Sequence, residues 1–160
     1  MAIYLDYEGI KGNVTAEGYH DHIEVLSVNF DVARNVSMTP GNLFNRETSH
    51  PNISRVTIIK AVDGSCSTLF NESVTGLAGK KVVIKFVRTG TEKVEAFLEH
   101  TLENCIISGY AFSANAERQP QEVICLSFSR ILINYKDHDA SNKAGAPQRV
   151  GYDLETAKPL

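Results

Sequence analysis

Hydrophobic and polar residues alternate along most of this chain, and a period of two predicts β-strands. At the N-terminus, Ile3, Leu5 and Tyr7 alternate with more polar neighbours and indicate a first strand. In the second predicted strand the apolar set is Leu26, Val28, Phe30 and Val32, and the polar set is Ser27, Asn29 and Asp31. We expect the apolar set to pack against a core and the polar set to face water.

The alternation stops between about residues 33 and 51. This stretch is polar, contains Pro40, Gly41 and Pro51, and is longer than most connections in compact domains. It therefore predicts a long loop with a binding role.

A third strand is predicted at residues 55–59, and a short helix follows it. The helix is predicted to begin at Asp63-Gly64-Ser65. Leu69, Phe70 and Val74 recur at helical spacing, and Gly76 is a natural end.

Residues 81–88 and 92–102 predict a hairpin around 89–91. Its register follows from charge if Arg88 faces Glu92. The remaining predicted pairs are Phe86 with Val94, Ile84 with Ala96, Val82 with Leu98, Lys85 with Glu95 and Lys81 with Glu99.

Two further long strands are predicted at residues 105–110 and 122–135, and a tail at about 137–160. In the second of these strands the apolar parity changes near Ser129 and Arg130, which indicates a bulge. A chain of 160 residues is enough for one domain, so we expect residues 1–160 to share a single core.

The net charge is −3, without the basic surplus that binding to nucleic acid normally needs. No apolar run approaches the roughly 20 residues that span a bilayer, and the N-terminus lacks the basic and apolar regions of a signal peptide. We expect no nucleic-acid partner, no membrane insertion and no cleaved signal peptide.

Three cysteines, Cys66, Cys105 and Cys125, form an odd set. The last two lie in apolar segments typical of buried thiols, which favours folding in the reducing cytoplasm. A disulfide between Cys105 and Cys125 stays open as the alternative, because the sequence does not supply its geometry.

Two groups of polar residues could carry chemistry. His20, His22 and Glu24 share a strand face and are metal-ligand types, but this spacing is also typical of a solvated strand end, which we favour. Glu95, Glu99 and Glu103 also share a face, and nearby lysines favour a charge ladder over acid–base catalysis. Nucleophile-elbow, CxxC and phosphate-loop patterns are absent. We predict neither an enzyme nor a metal or other cofactor.

Several runs taken together resemble one family. They are Ile10-Lys11-Gly12 and residues 22–27, 101–108, 122–135 and 151–154. The chain resembles the Hcp family, the hemolysin-coregulated proteins of bacterial type VI secretion systems.

This resemblance implies a mainly β fold: a β-barrel-like sandwich of two antiparallel sheets with one short α-helix, related to phage tail-tube proteins. It also implies a homo-hexameric ring, and rings that stack into a tube inside a contractile sheath, behind a VgrG-type spike. Secreted effectors would travel in the lumen. Such a protein folds in the cytoplasm and is secreted through the type VI system.

Within such a tube we predict that Ser27, Asn29 and Asp31 face the lumen, because the opposite face of their strand is needed for the core. We predict a contact with the neighbouring ring for the loop residues Asn42, Leu43, Phe44, Asn45 and Arg46, since Leu43 and Phe44 are apolar residues in a polar loop. Alternatively, these two side chains fold back onto their own protomer. A phage or contractile-particle tail-tube protein and a monomeric ligand-binding β-barrel are the alternative functions.

Overall fold

The computed structural model describes residues 1–37, 40–41, 47–89, 94–139, 141 and 143–160. These residues form mostly β-strands and one helix, α1 (Cys66–Thr75). The strands are β1 (Ala2–Tyr7), β2 (Ile23–Val25), β3 (Ser27–Asn29), β4 (Val32–Ala33), β5 (Val36–Ser37), β6 (Glu47–Thr48), β7 (Asn52–Ile53), β8 (Val56–Ala61), β9 (Lys80–Arg88), β10 (Glu95–Asn115), β11 (Arg118–Ser127), β12 (Arg130–His138), β13 (Ala144–Asp153) and β14 (Lys158–Pro159).

Two antiparallel sheets form the body of the protein. The first sheet has the order β2-β1-β9-β10-β12-β13-β14, and the second has the order β3-β8-β11-β10. Buried aliphatic side chains from both sheets meet between them. The predicted barrel-like sandwich with one short helix is confirmed.

The long strand β10 belongs to both sheets. Its first half pairs with β9 and β12, and its second half, from Ile106, pairs with β11. Between the halves, Asn104 has a φ of 52°, a left-handed conformation that asparagine tolerates better than most residues. Gly79 allows the bend, because a Cβ atom there would lie 2.7 Å from the Asn104 Cα atom.

The second predicted strand is likewise divided between the two sheets. β2 pairs with β1 in the first sheet, while β3 pairs with β8 in the second. Leu26 lies between them and is 54% exposed.

The structure corrects part of the apolar pattern predicted for the second strand. Val28 and Phe30 do pack against the core, but Leu26 and Val32 are exposed. In β2 the buried residues are instead Ile23 and Val25. The buried parity changes because the chain turns from one sheet into the other at Leu26.

The helix α1 covers part of the second half of β10. Its buried side chain is Leu69, whereas Phe70 and Val74 are exposed. Among the described residues, no helix is both long and apolar enough to cross a membrane.

The predicted register between β9 and β10 is wrong by four residues over most of its length. Lys85 faces Glu99 rather than Glu95, and Phe86 faces Leu98, beyond an irregularity at Phe97. A shift of four preserves which residues share a face, so the apolar pattern does not distinguish the two registers. Charge does not distinguish them either, because the glutamates of β10 recur every four residues.

The segment predicted as a long loop, 33–51, contains paired strands. β4 pairs with β7 and β5 pairs with β6, so the described residues 32–37 and 47–53 form a narrow double-stranded arm, here called the long ribbon. The predicted ring-contact residues, Asn42 to Arg46, lie outside the described residues.

The segment expected as a tail, 137–160, instead completes the first sheet. β13 pairs with β12 from Ala144 to Asp153, and β14 pairs with the end of β13. Its residues 144–150 are small, polar or exposed, so the apolar pattern that identifies a half-buried strand is missing.

Candidate assembly surfaces and buried charge clusters

Two of the predicted lumen residues, Ser27 and Asn29, lie in β3 at the edge of the second sheet, and Asp31 follows that strand. Asn29 and Asp31 are exposed, whereas Ser27 is half-buried, and its hydroxyl has no hydrogen-bond partner in the described part of the chain. The Asp31 N–H donates to Ser54 Oγ at 2.8 Å, and the Ser54 N–H donates to the Asp31 carbonyl at 2.9 Å. These bonds fix the start of the long ribbon on the second sheet.

The long ribbon leaves two aliphatic side chains in water. Val32 and Val36 are 55% and 45% exposed. Such a projecting pair of short strands has little core of its own, and it is typical of an element that packs against another molecule.

The strand β13 offers a second assembly surface, here called the β13 edge (residues 144–150). These residues are exposed, while the β14 pairing involves Tyr152 and Asp153 alone among the described residues. Val150 on this edge is 60% exposed. An uncovered strand edge presents backbone groups that pair readily with another strand.

The candidate metal trio is dispersed. His20 Nδ1 lies 3.1 Å from Asp21 Oδ1, and His22 Nε2 lies 3.2 Å from Lys85 Nζ. Across the described ranges no group of three His, Cys, Asp or Glu side chains is placed to hold a metal ion.

Each of the three glutamates of β10 has a basic neighbour on β9 or β12. Glu95 Oε2 lies 3.7 Å from His138 Nε2, and Glu103 Oε2 lies 3.2 Å from Arg130 Nη1. Glu99 is the cross-strand neighbour of Lys85. This arrangement is a charge ladder, as predicted, although its partners differ from those predicted.

Arg130 also contacts Asp153 in the neighbouring strand. Its Nη2 donates to Asp153 Oδ2 at 3.1 Å, and the N–H groups of Glu155 and Thr156 donate to the other carboxylate oxygen. Burial by itself raises the pKa of Asp153, but these donors outweigh it and hold the pKa below its ordinary value. Asp153 therefore fixes the turn that leads into β14.

A buried charge cluster, formed by Lys60, Asp63, Tyr110 and Glu122, lies beneath α1. Lys60 and Glu122 are cross-strand neighbours with fully buried side chains in direct contact. Lys60 Nζ also donates to Asp63 Oδ1 at 3.0 Å, and the Tyr110 hydroxyl donates to Glu122 Oε1 at 2.6 Å. Sequence analysis missed this cluster, although Lys60 and Glu122 lie on the buried faces of their strands.

The thiols are free at all three cysteines, so the Cys105–Cys125 disulfide is not formed. Burial raises the pKa of Cys105 to about 12. The hydrogen bond to Glu122, followed by burial, raises the pKa of Cys66. Neither thiol is activated as a nucleophile.

The family model described as "Type VI secretion system effector, Hcp" matches residues 4–135. This match runs from β1 into β12 and includes Leu26 and Asn104, where the chain passes from one sheet into the other. The chain belongs to the Hcp family.

Solved structures of type VI secretion system proteins share the fold. A structure described as that of a type six secretion system protein has a TM-score of 0.90 at 22% identity, with 99% of each chain covered. Hcp1 from Salmonella typhimurium has a TM-score of 0.78 at 19% identity, covering 99% of this chain and 98% of that one. A type VI secretion system effector from Yersinia pestis has a TM-score of 0.74 at 19% identity, covering 94% and 98%. Comparison with curated protein sequences found no match.

Membership of the Hcp family makes this chain a tube and effector protein of type VI secretion, as the resemblance implied. Hcp proteins are secreted structural components of that system. The structural matches extend the shared fold through β13 and β14, beyond the residues that the family model covers.

Proposed function

We propose that six copies of this Hcp-family chain close into a ring, and that the rings stack into a tube that carries effectors. In this proposal the tube runs inside a contractile sheath behind a VgrG-type spike, and the protein acts without catalysing a reaction. Family membership carries the proposal, and the β13 edge and the long ribbon support it as surfaces that a lone protomer leaves uncovered.

The β13 edge is the proposed contact between neighbouring protomers of a ring. A ring needs two different surfaces on each copy, one for each neighbour, because its contacts run head to tail. Pairing at residues 144–150 would satisfy exposed backbone groups and bury Val150. The surface that receives it on the next protomer would be a different part of the sandwich.

The lumen-facing surface is proposed to include Ser27, Asn29 and Asp31. Asn29 and Asp31 are exposed and polar, on a strand whose Val28 and Phe30 pack against the core. A hydrated wall of this kind would let folded cargo pass without strong adhesion. Ser27 would contribute less, because it is half-buried.

The contact between rings is proposed to involve the long ribbon and the residues Asn42 to Arg46, which lie between β5 and β6 in the sequence. The exposed Val32 and Val36 on the ribbon support a packing role. In this proposal the protein folds and assembles in the cytoplasm, where its free thiols are stable, and leaves through the type VI apparatus.

The decisive experiment is native mass spectrometry at several protein concentrations, together with light scattering on a sizing column. We expect a six-fold species, with stacks of it at high concentration. A persistent monomer would overturn the proposal and favour the ligand-binding barrel.

A matched pair of variants tests the ring contact itself. Val150→Glu places a charge on the β13 edge, and Val74→Glu places one on the outer face of α1; these valines are 60% and 64% exposed. We expect Val150→Glu to lose the six-fold species and Val74→Glu to keep it. The opposite result would show that the ring contact involves α1 and not the β13 edge.

A further inference from the structure

The buried charge cluster combines an amine with two carboxyl groups inside the sandwich. The Lys60 and Glu122 side chains are both 0% exposed, and the Asp63 side chain is 15% exposed. Lys60 follows Val56 and Ile58 on the buried face of β8, and Glu122 precedes Ile124 on the buried face of β11. Both charged side chains therefore occupy core positions.

Burial changes the balance between an ion pair and its condensation product. In water, an ammonium and a carboxylate are stabilised by hydration, which opposes their conversion into an amide. In the interior that hydration is lost, and an ion pair recovers it only in part. A neutral amide is therefore favoured much more inside the core than at the surface.

We propose that Lys60 and Glu122 form an intramolecular isopeptide bond. A proton moves from the ammonium to the carboxylate, which gives a neutral amine and acid without a change in net charge. The Lys60 Nζ lone pair attacks the Glu122 Cδ atom, the N–C bond forms, one C–O bond breaks, and one water molecule leaves. The reaction is a condensation, so it needs no oxidant, reductant or cofactor.

Two neighbouring residues have the contacts that this reaction requires. The Tyr110 hydroxyl donates to Glu122 Oε1 at 2.6 Å, so it stabilises the negative charge that develops on that oxygen during attack. Burial, followed by the hydrogen bond to Glu122, raises the pKa of Tyr110 and keeps the hydroxyl protonated.

Asp63 is placed to move the proton. Its Oδ1 atom lies 3.0 Å from Lys60 Nζ, so it can accept the proton that the amine loses and return it to the departing oxygen. Ser65 holds this carboxylate through its N–H and its hydroxyl. After condensation, the amide N–H would donate to the same Asp63 oxygen. Fixed positions of this kind raise the effective concentration of the reacting groups.

The test is intact mass measurement of the purified, folded protein, followed by tryptic peptide mapping. We expect a mass lower by one water molecule than the sequence requires. Trypsin cleaves after Arg55, Lys80, Arg118 and Arg130, so the bond would link peptide 56–80 to peptide 119–130 and block cleavage after Lys60. A full sequence mass with a free peptide 56–60 would overturn the proposal.

Peptide mapping is needed because Asp63-Gly64 can also lose water by forming a succinimide. Water loss confined to peptide 61–80 would assign the mass change to that reaction and overturn the proposal. The pair Lys85 and Glu99 is an internal control, since these residues are also cross-strand neighbours but are only partly buried. We expect no link between them.

Three variants assign the roles, with circular dichroism as the check on folding. Lys60→Met removes the nucleophile and should give the full sequence mass. Asp63→Asn should leave most molecules unlinked while the fold is kept, and Tyr110→Phe should slow the appearance of the linked form. Linkage in Asp63→Asn at the wild-type level would show that Asp63 takes no part in the reaction.

Discussion

Arg130 and Asp153 form an ion pair between β12 and β13, with 3.1 Å between Nη2 and Oδ2. The same guanidinium reaches Glu103 of β10 at 3.2 Å. Three neighbouring strands of the first sheet are therefore joined at one end by a single arginine, next to the turn into β14.

Replacing Asp153 by asparagine should lower the melting temperature at neutral pH by a few degrees. The folded pKa of Asp153 lies below its ordinary value, so its charged form stabilises the fold above an ordinary aspartate pKa of about 3.9. That contribution is lost as the pH falls through the lowered pKa. We therefore expect the difference in melting temperature between wild type and Asp153→Asn to shrink progressively as the pH falls below about 3.9.

The matched control is Asp6→Asn, at an exposed position of β1. Its melting temperature should follow that of the wild type from neutral pH to pH 3. An equal loss in the two variants would show that the ion pair with Arg130 is not the cause.

His100 should make the fold sensitive to mild acid. The ring is buried between Phe30 and Phe86, with centroid distances of 5.4 and 5.2 Å, and burial lowers its pKa. The unfolded chain binds a proton near pH 6.5 and the folded chain does so at lower pH, so stability falls as the pH drops below about 6.5. Urea unfolding of His100→Leu between pH 7 and pH 5 should show a smaller pH dependence than the wild type. Parallel curves would contradict this assignment.

The buried Tyr7 and the half-buried Tyr110 should respond differently to loss of the hydroxyl. The Tyr7 hydroxyl has no hydrogen-bond partner within the described residues, whereas the Tyr110 hydroxyl donates to Glu122. Tyr7→Phe should be neutral or stabilise the protein by up to about 1 kcal/mol, and Tyr110→Phe should destabilise it by about 1–3 kcal/mol. Urea unfolding at neutral pH measures both. A comparable loss in Tyr7→Phe would mean that its hydroxyl has a partner.

Gly12 should not tolerate a side chain. A Cβ atom there would lie 2.7 Å from the Ile23 Cα atom and would also overlap the His22 carbonyl. We expect Gly12→Ala to cost about 1–3 kcal/mol in unfolding free energy, the usual range for overpacking. Gly145→Ala is the control, since its nearest neighbour would lie at 3.4 Å. A change within about 0.5 kcal/mol is expected there.

Replacing Leu43 and Phe44 together with serine tests the proposed contact between rings. We expect the six-fold species to persist in native mass spectra while stacks disappear from electron micrographs. Stacks that form at the wild-type concentration would favour the alternative, in which both side chains pack on their own protomer.

Local pattern predicted the strands at the centre of the fold but not the way they cross between sheets. The alternation in β1 and β9 identifies both strands, because each has one face in the core. The turn at Leu26 and the bend at Asn104 depend on which strand lies alongside, and that is a long-range property. The turn at Leu26 changed the buried parity of the second predicted strand.

The buried pair Lys60 and Glu122 shows a similar limit. A charged residue on the buried parity of an apolar strand is an unusual signal, and it is present in both β8 and β11. The sequence alone could have indicated a buried charge at each position separately. Their pairing joins residues 62 apart in the chain, and it depends on the alignment of two strands, which no local pattern specifies.

The continuity of β10 has a mechanical consequence. Because one strand pairs with β9 and β12 in its first half and with β11 in its second, tension applied to either sheet reaches the other along the covalent backbone at Asn104. The two sheets cannot be pulled apart by sliding their side chains past one another alone. Mechanical separation of the sheets would therefore have to strain the β10 backbone itself, and not only the side-chain packing between the sheets.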